Sequence, residues 1–251
     1  MRMQLIRHAT LWLDYAGTTF LVDPMFSDQG ANPPIMNSDN ERRNPLVPLP
    51  DELDAWLAPD AVIVTHLHPD HWDTAAIQAL SKSSTIVCQP GNSEAIRTAG
   101  FADVTEVAES FTFQGITIHR TDGQHGTGEI GQLMGQVSGF VFQVDGEPTL
   151  YIAGDTIWCD DVQNTLDAYK PDHTVVNAGG ARFVVGDAIT MDAEDVIQVV
   201  QYAPYTRVIA VHMDSINHCH ATRDVLRAEL AEHDLLEKVA IPGDGEWVLG
   251  S

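Results

Sequence analysis

Residues 65 to 73 read "THLHPDHWD", and they follow the apolar run "AVIV" at 61 to 64. Three histidines and two aspartates fall within eight positions. A short run of β-branched and small apolar residues reads as a buried strand, so the polar cluster stands where that strand ends. Neutral imidazoles and carboxylates are good donors for zinc and similar dications. The H-x-H-x-D-H spacing lets His66 and His68 serve one side of a turn while Asp70 and His71 serve the other. One loop can then supply two neighbouring metal positions, which gives the crowding a chemical reason. A merely solvated His-rich loop has no reason to sit directly after a buried strand.

The pattern recurs downstream. "TLYIAG" delivers Asp155 and "RVIAV" delivers His212, each just past an apolar strand. Side chains gathered at strand ends form ligand sites throughout α/β architecture. The rest of the chain alternates strand and helix. "ATLWLDYAGTTFLVDP" and "SGFVFQVDGEPTLYIAGD" read as hairpins around Gly-containing turns. "DTAAIQALSK", "NSEAIRTAG", "DVQNTLDAYK", "DAEDVIQVVQYA" and "TRDVLRAELAEH" read as helices, with Asn92 and Asp192 as expected caps. "STIVCQP", "GITIHR" and "HTVVNAG" read as strands. Alternation to the end predicts one α/β domain over 1–251. Residues 27–59, rich in Pro, Asn and Asp, carry no period and are expected to be a pocket-covering loop.

H-x-H-x-D-H after a strand, then "GQHG", "GDT" and "VHMDSINH", resembles the metallo-β-lactamase superfamily of metal-dependent hydrolases. The likeness runs from about Ala9 to the C-terminus. It is narrower to the ascorbate-6-phosphate lactonase-like group of bacterial hydrolases through "TLYIAGDTIWCDDV", "NAGGA" and "HMDSINHC". The resemblance implies an αββα sandwich, two mixed β-sheets flanked by helices, with metals at one edge. It implies His66, His68 and His125 as ligands of a first metal and Asp70, His71 and His212 as ligands of a second. Asp155 matches the carboxylate that bridges both. His125, flanked by glycines, is preferred over His119, which lies inside the strand "GITIHR". A carboxylate at the bridging position points away from β-lactam antibiotics, whose hydrolases often have cysteine or histidine there.

Other residues leave alternatives open. Asp23 in "FLVDP" is either a support for the site or a strand-end turn residue. Asp73 either holds a ligand histidine by its second nitrogen or caps the following helix. His218 is a candidate to face substrate as proton donor or oxyanion partner; the alternative is local packing or capping. Arg42, Arg43 and Arg182 could bind an anionic group, or form ordinary surface ion pairs. Cys88, Cys159 and Cys219 read as reduced thiols, the last two as packing residues; His220 reads as solvated, and His8, His173 and His233 have no ligand context.

The composition narrows the function further. Thirty-six acidic residues against thirteen basic ones give a formal charge of −23, which repels nucleic-acid phosphates and anionic lipid. No signal-like or membrane-length apolar run is present, so a cytoplasmic protein is expected. The expected function is hydrolysis by metal-activated water of a small ester, lactone or phosphoester. Asp70 would orient the nucleophile and His218 assist the leaving group. Two divalent ions are expected, zinc first, with manganese or iron accepting the same donors. A small-molecule substrate is expected, with no nucleic acid and no membrane partner; a homo-oligomer follows by analogy only. The rival readings are a phosphodiesterase with the same site, a non-catalytic metal-binding sensor or scaffold, and a diiron redox enzyme.

Overall fold

A computed structural model describes residues 1–250. The first half of the chain forms β1 (Arg2–Arg7), β2 (Thr10–Tyr15), β3 (Thr18–Val22), β4 (Ala61–Val64), β5 (Ile86–Cys88) and β6 (Val104–Glu106). Helices α1 (Thr74–Ala79) and α2 (Ser93–Thr98) join the last three. The second half forms β7 (Ser110–Phe113), β8 (Ile116–Asp122), β9 (Ser138–Gln143), β10 (Leu150–Ile152), β11 (His173–Asn177) and β12 (Arg207–Val211). Its helices are α3 (Gly128–Met134), α4 (Asp160–Tyr169), α5 (Ala193–Tyr202) and α6 (Arg223–Glu232), and the chain ends with β13 (Val239–Ala240) and β14 (Trp247–Leu249). Among the described residues these strands make two seven-stranded mixed sheets, ordered β14-β1-β2-β3-β4-β5-β6 and β13-β12-β11-β10-β9-β8-β7.

Period-two alternation builds the layers. Leu11, Leu13 and Tyr15 of β2 enter the core between the sheets, whereas Trp12 turns to the outer face of the first sheet. In β12, Ile209 and Val211 face inward while Val208 and Ala210 meet the helices. The inter-sheet core draws on both halves: Phe20 and Ile63 from one sheet, Phe140, Phe142 and Ile152 from the other. Each of these is almost fully buried, and burying a large apolar side chain contributes roughly 1.5–3 kcal/mol. Val162 and Leu166 of α4, Val196 and Val199 of α5, and Leu226 and Leu230 of α6 seal the second sheet. Ala76 of α1 and Ile96 of α2 seal the first. The result is the αββα sandwich, one domain.

Both expected hairpins form, β2 with β3 and β9 with β10. Ala16 and Gly17 turn the first with positive φ at both positions, the geometry that matches strand twist. Asp192 caps α5, accepting from the amides of Glu194 and Asp195. Asn92 occupies the cap position of α2 but makes no side-chain cap bond.

The stretch 27–59 is irregular apart from a 3-10 turn at Leu53–Trp56 and a bridge between Asn32 and Asn44. It is nonetheless pinned. The buried Arg7 guanidinium donates to the carbonyls of Met25, Ser27 and Val47. Among the described residues, no helix is long and apolar enough to cross a membrane.

Candidate metal centre

Strand direction gathers the polar residues at one edge. In the first sheet β1, β3 and β4 run parallel to one another, through the antiparallel β2 between β1 and β3. Their C-terminal ends present His8, Asp23 and the 65–73 loop. In the second sheet β8, β10, β11 and β12 share one direction. Their ends present His125, Asp155, Asn177 and His212. All seven donors expected from the sequence converge there. His119, by contrast, stays on β8 with its ring 5.0 Å from Tyr169.

Asp155 stands at the centre. Its Oδ2 lies 3.2 Å from His71 Nε2, 3.6 Å from His125 Nε2 and 3.9 Å from His66 Nε2. Its Oδ1 lies 3.3 Å from His212 Nε2 and accepts from Asn177 Nδ2 at 2.6 Å. Asp70 Oδ2 is 3.6 Å from His212 Nε2 and 3.8 Å from His71 Nε2. His68 Nδ1 is 3.3 Å from His125 Nε2. Two of the clusters that could hold a cation are His66, His68 and His125, and His8, Asp70, His71 and His212; Asp155 lies between them.

Supporting hydrogen bonds fix three of the rings. The Asp23 carboxylate accepts from the Thr65 amide and hydroxyl, and lies 2.8 Å from His71 Nδ1, which must therefore carry the proton. The Thr65 hydroxyl has given its one proton to Asp23, so at 3.1 Å it accepts from His66 Nδ1–H. His125 Nδ1–H donates to the Ile189 carbonyl at 2.7 Å. All three rings turn Nε2 inward toward Asp155. His66 Nε2 is buried with no hydrogen-bond partner, an expense that a cation would remove. The residues fit divalent metal ions, with His and Asp donors that zinc, manganese and iron all accept.

Electrostatics reflect the crowding: burial works to lower the His71 ring, but Asp155, Asp23 and Asp70 outweigh it and hold it well above the ordinary imidazole value, a proton that a cation would displace. Burial works to raise the Asp155 carboxyl, but His212, His71 and His125 outweigh it and hold it well below the carboxylate range. Burial likewise works against Asp70, and His71, His212 and His8 overcome it. Burial, with His71 beside it, pushes His66 well below the ordinary imidazole value, so its lone pair is free.

Three site residues adopt the left-handed backbone region: His8 at φ 62°, Asp23 at φ 45° and His212 at φ 69°. Non-glycine residues there carry strain and cluster at functional sites. His8 gave no ligand signal in the sequence. It is fully buried, its Nε2 lies 3.1 Å from Asp70 Oδ2, and its ring lies 3.6 Å from that of His212. Its carbonyl also accepts the His212 amide. The available signal was a histidine between two apolar strands with one residue beside it, a tight turn whose φ > 0 position tolerates few residue types. His8→Ala is expected to weaken cation binding at the Asp70–His71–His212 cluster by about 10–100-fold, the usual effect of losing an outer hydrogen bond. A metal-competition titration reads this directly.

The two uncertain aspartates divide clearly. Asp23 supports the site as described. Asp73 caps α1 through the Ala76 amide and accepts from the Ser27 amide and hydroxyl, so it holds no ligand histidine. Cys219 Sγ lies 3.7 Å from His212 Nδ1; burial pushes its thiol well above the ordinary value, so it stays protonated.

His218 lines a cleft of about 160 Å³ together with His68, Asp70, His125, Asp155 and Phe183. Burial lowers its ring to about 4. Ile35, Pro69, Asp70 and Phe183 are shared with a larger cavity of about 630 Å³, whose walls include Met25, Pro33, Met36 and Ile216. Asn217, two per cent exposed, clamps that wall. It accepts from the Ile35 amide and Asn44 Nδ2, and its own amide donates to Asn44 Oδ1. Arg43 is spent on the carbonyls of Gly30 and Ala31. Arg182 lines a separate surface groove with Asp192 and Glu194, and Arg42 lines none of these cavities.

A family model described as "Beta-lactamase superfamily domain" matches residues 18–213, which carry all seven donors. The chain belongs to the beta-lactamase superfamily. Within that superfamily it is similar to metal-dependent hydrolases. It is 36% identical over 250 residues to the UPF0173 protein YddR of Bacillus subtilis, covering 98% of each chain. It is 40% identical to a structure of isothiocyanate hydrolase from Delia radicum gut bacteria, with a TM-score of 0.96 over 100% of this chain and 99% of the other. A structure of a possible metal-dependent hydrolase from Veillonella parvula gives 36% identity and a TM-score of 0.96, over 99% and 98% of the two chains.

Proposed function

We propose that this superfamily member uses two divalent metal ions to hydrolyse small uncharged electrophiles, isothiocyanates first among them. The observation that carries the metal-dependent reading is the set of inward Nε2 atoms of His66, His71 and His125 around Asp155. The isothiocyanate reading is supported by the 40% identical neighbour of that activity and by the apolar cavity that opens beside the donors.

Bound dications supply a water that ionises near neutral pH and a positive charge facing the electrophile. The chain's own residues do the rest. Asp70 orients the attacking water from its place at the cleft floor. His218 is neutral at pH 7, so its ring keeps one N–H to offer a substrate heteroatom. The half-buried Phe183 ring, 6.0 Å from that of His218, shields the cleft from bulk water. For R–N=C=S the products with one water are R–NH2 and carbonyl sulfide. The C=O bond of carbonyl sulfide forms, the N=C double bond breaks while the R–N bond is kept, and both water protons finish on nitrogen.

Esters and lactones are the second reading, since an activated water attacks their carbonyl carbon in the same way. Phosphoesters fit less well. Among the described residues no lysine or arginine lines either cavity to receive the anion. The sensor or scaffold reading expects lost donors, and all seven are present.

The deciding experiment measures metal content after purification without chelator, then kcat/KM on benzyl isothiocyanate, a γ-lactone, a nitrophenyl ester and a bis-nitrophenyl phosphate. Two equivalents of metal and the highest kcat/KM on the isothiocyanate are expected, with turnover lost on chelation. Higher kcat/KM on the lactone or ester would move the second reading to the front. No metal retained and none taken up would sink the hydrolase mechanism.

A further inference from the structure

We infer that the cavity beyond Phe183 binds an extended, uncharged, apolar substituent of the substrate, so that this wall sets chain-length preference. The inference rests on the proposed function and names where the non-reacting end of the molecule goes. The two spaces adjoin: Ile35, Pro69, Asp70 and Phe183 border both the donor cleft and the larger cavity. The cleft, about 160 Å³, has room for a reacting group and little more, whereas the cavity of about 630 Å³ lies in the range that holds small ligands.

The cavity's chemistry selects its occupant. Its walls are mainly Met, Pro, Ile and Phe, and its polar lining consists of the amides of Asn32, Asn37 and Asn44. Its one charged residue, Asp70, stands at the donor end. With no cation among the described lining residues, a carboxylate or phosphate tail would be desolvated without a partner, at a cost far above that of an alkyl chain. The wall is also built to hold shape, because Asn217 clamps Ile35 and Asn44 to the loop that carries His212 and His218. A hydrogen bond from the Val184 amide to the Asn37 carbonyl joins the Phe183 side to the Met36 side. Met36 itself is 81% exposed, so the apolar path continues to the mouth.

The test uses metal-loaded protein and a series of n-alkyl isothiocyanates from methyl to hexyl, with a carboxylate-tailed analogue of hexyl length. Expected is a rise in kcat/KM of about two- to fourfold per methylene, the value of moving that group out of water, and no such gain for the carboxylate-tailed compound. Phe183→Ala, a truncation on a half-buried surface segment, is expected to flatten the slope. Unreactive N-alkylacetamides of the same lengths are titrated in parallel, so that binding is read without turnover. Isothiocyanates hydrolysed at rates independent of chain length would overturn this inference and leave the proposed function standing. No isothiocyanate hydrolysed, with acetamide Kd falling along the series, would overturn the proposed function and support the cavity's role. Acetamide affinity flat along the series overturns the inference whichever substrate is turned over.

Discussion

Replacing Asp155 by alanine is expected to reduce turnover by more than about a hundredfold, beyond what losing a supporting hydrogen bond around a metal produces. The carboxylate is the one group that faces both donor clusters, with Oδ1 toward His212 and Oδ2 toward His66, His71 and His125. Its removal leaves four imidazoles with nothing anionic between them but Asp70, and it frees the Asn177 amide that now donates to Oδ1. Elemental analysis of the variant should show less than the wild-type metal content, and the loss should appear in kcat rather than KM. Near-normal turnover with full metal content would remove Asp155 from the centre of the mechanism.

Gly154→Ala is expected to cost the fold heavily at the site. Gly154 sits at φ +70°, and an added Cβ would lie 2.6 Å from the Ser138 carbonyl oxygen of the neighbouring strand. Left-handed strain and a backbone clash that no rotamer relieves together cost about 3 kcal/mol or more. For a chain of this size that corresponds to a fall in Tm of roughly 10 °C, read by thermal unfolding. The same shift displaces the neighbouring Asp155, so activity should fall even below the melting transition. An unchanged Tm would mean that β9 and β10 are free to move apart, contrary to their tight pairing.

The convergence of these seven side chains was legible because residues of the kind that hold metals stand where strands end. His66, Asp155 and His212 each follow a run of buried apolar residues, a pattern visible without coordinates. The supporting groups were less visible, since their roles depend on which turns face each other. Asp23 and Asp73 look equivalent in sequence, yet one grips His71 and the other caps α1. His8 and Asn177 gave no ligand signal because each reaches its partner across the fold. Helix α3 was hidden by its composition: "GEIGQLM" has two glycines, each disfavouring helix by about 1 kcal/mol, and it buries no residue. The short strands β6 and β7 are partly exposed and lack a clear apolar run. The irregular stretch 27–59 was recognised, but its anchors, Arg7 and Asn217, lie far away in sequence.

The seam between the sheets has a consequence for assembly of the molecule. His66, His68, Asp70 and His71 come from the first sheet, and His125, Asp155 and His212 from the second. Neither half of the chain can present a complete donor set alone. A cation bound there would tie the halves as a crosslink does, and its binding free energy would count as folding free energy. A chelator would then loosen the sandwich as well as silence it, and the supply of metal would decide how much of the newly made chain matures.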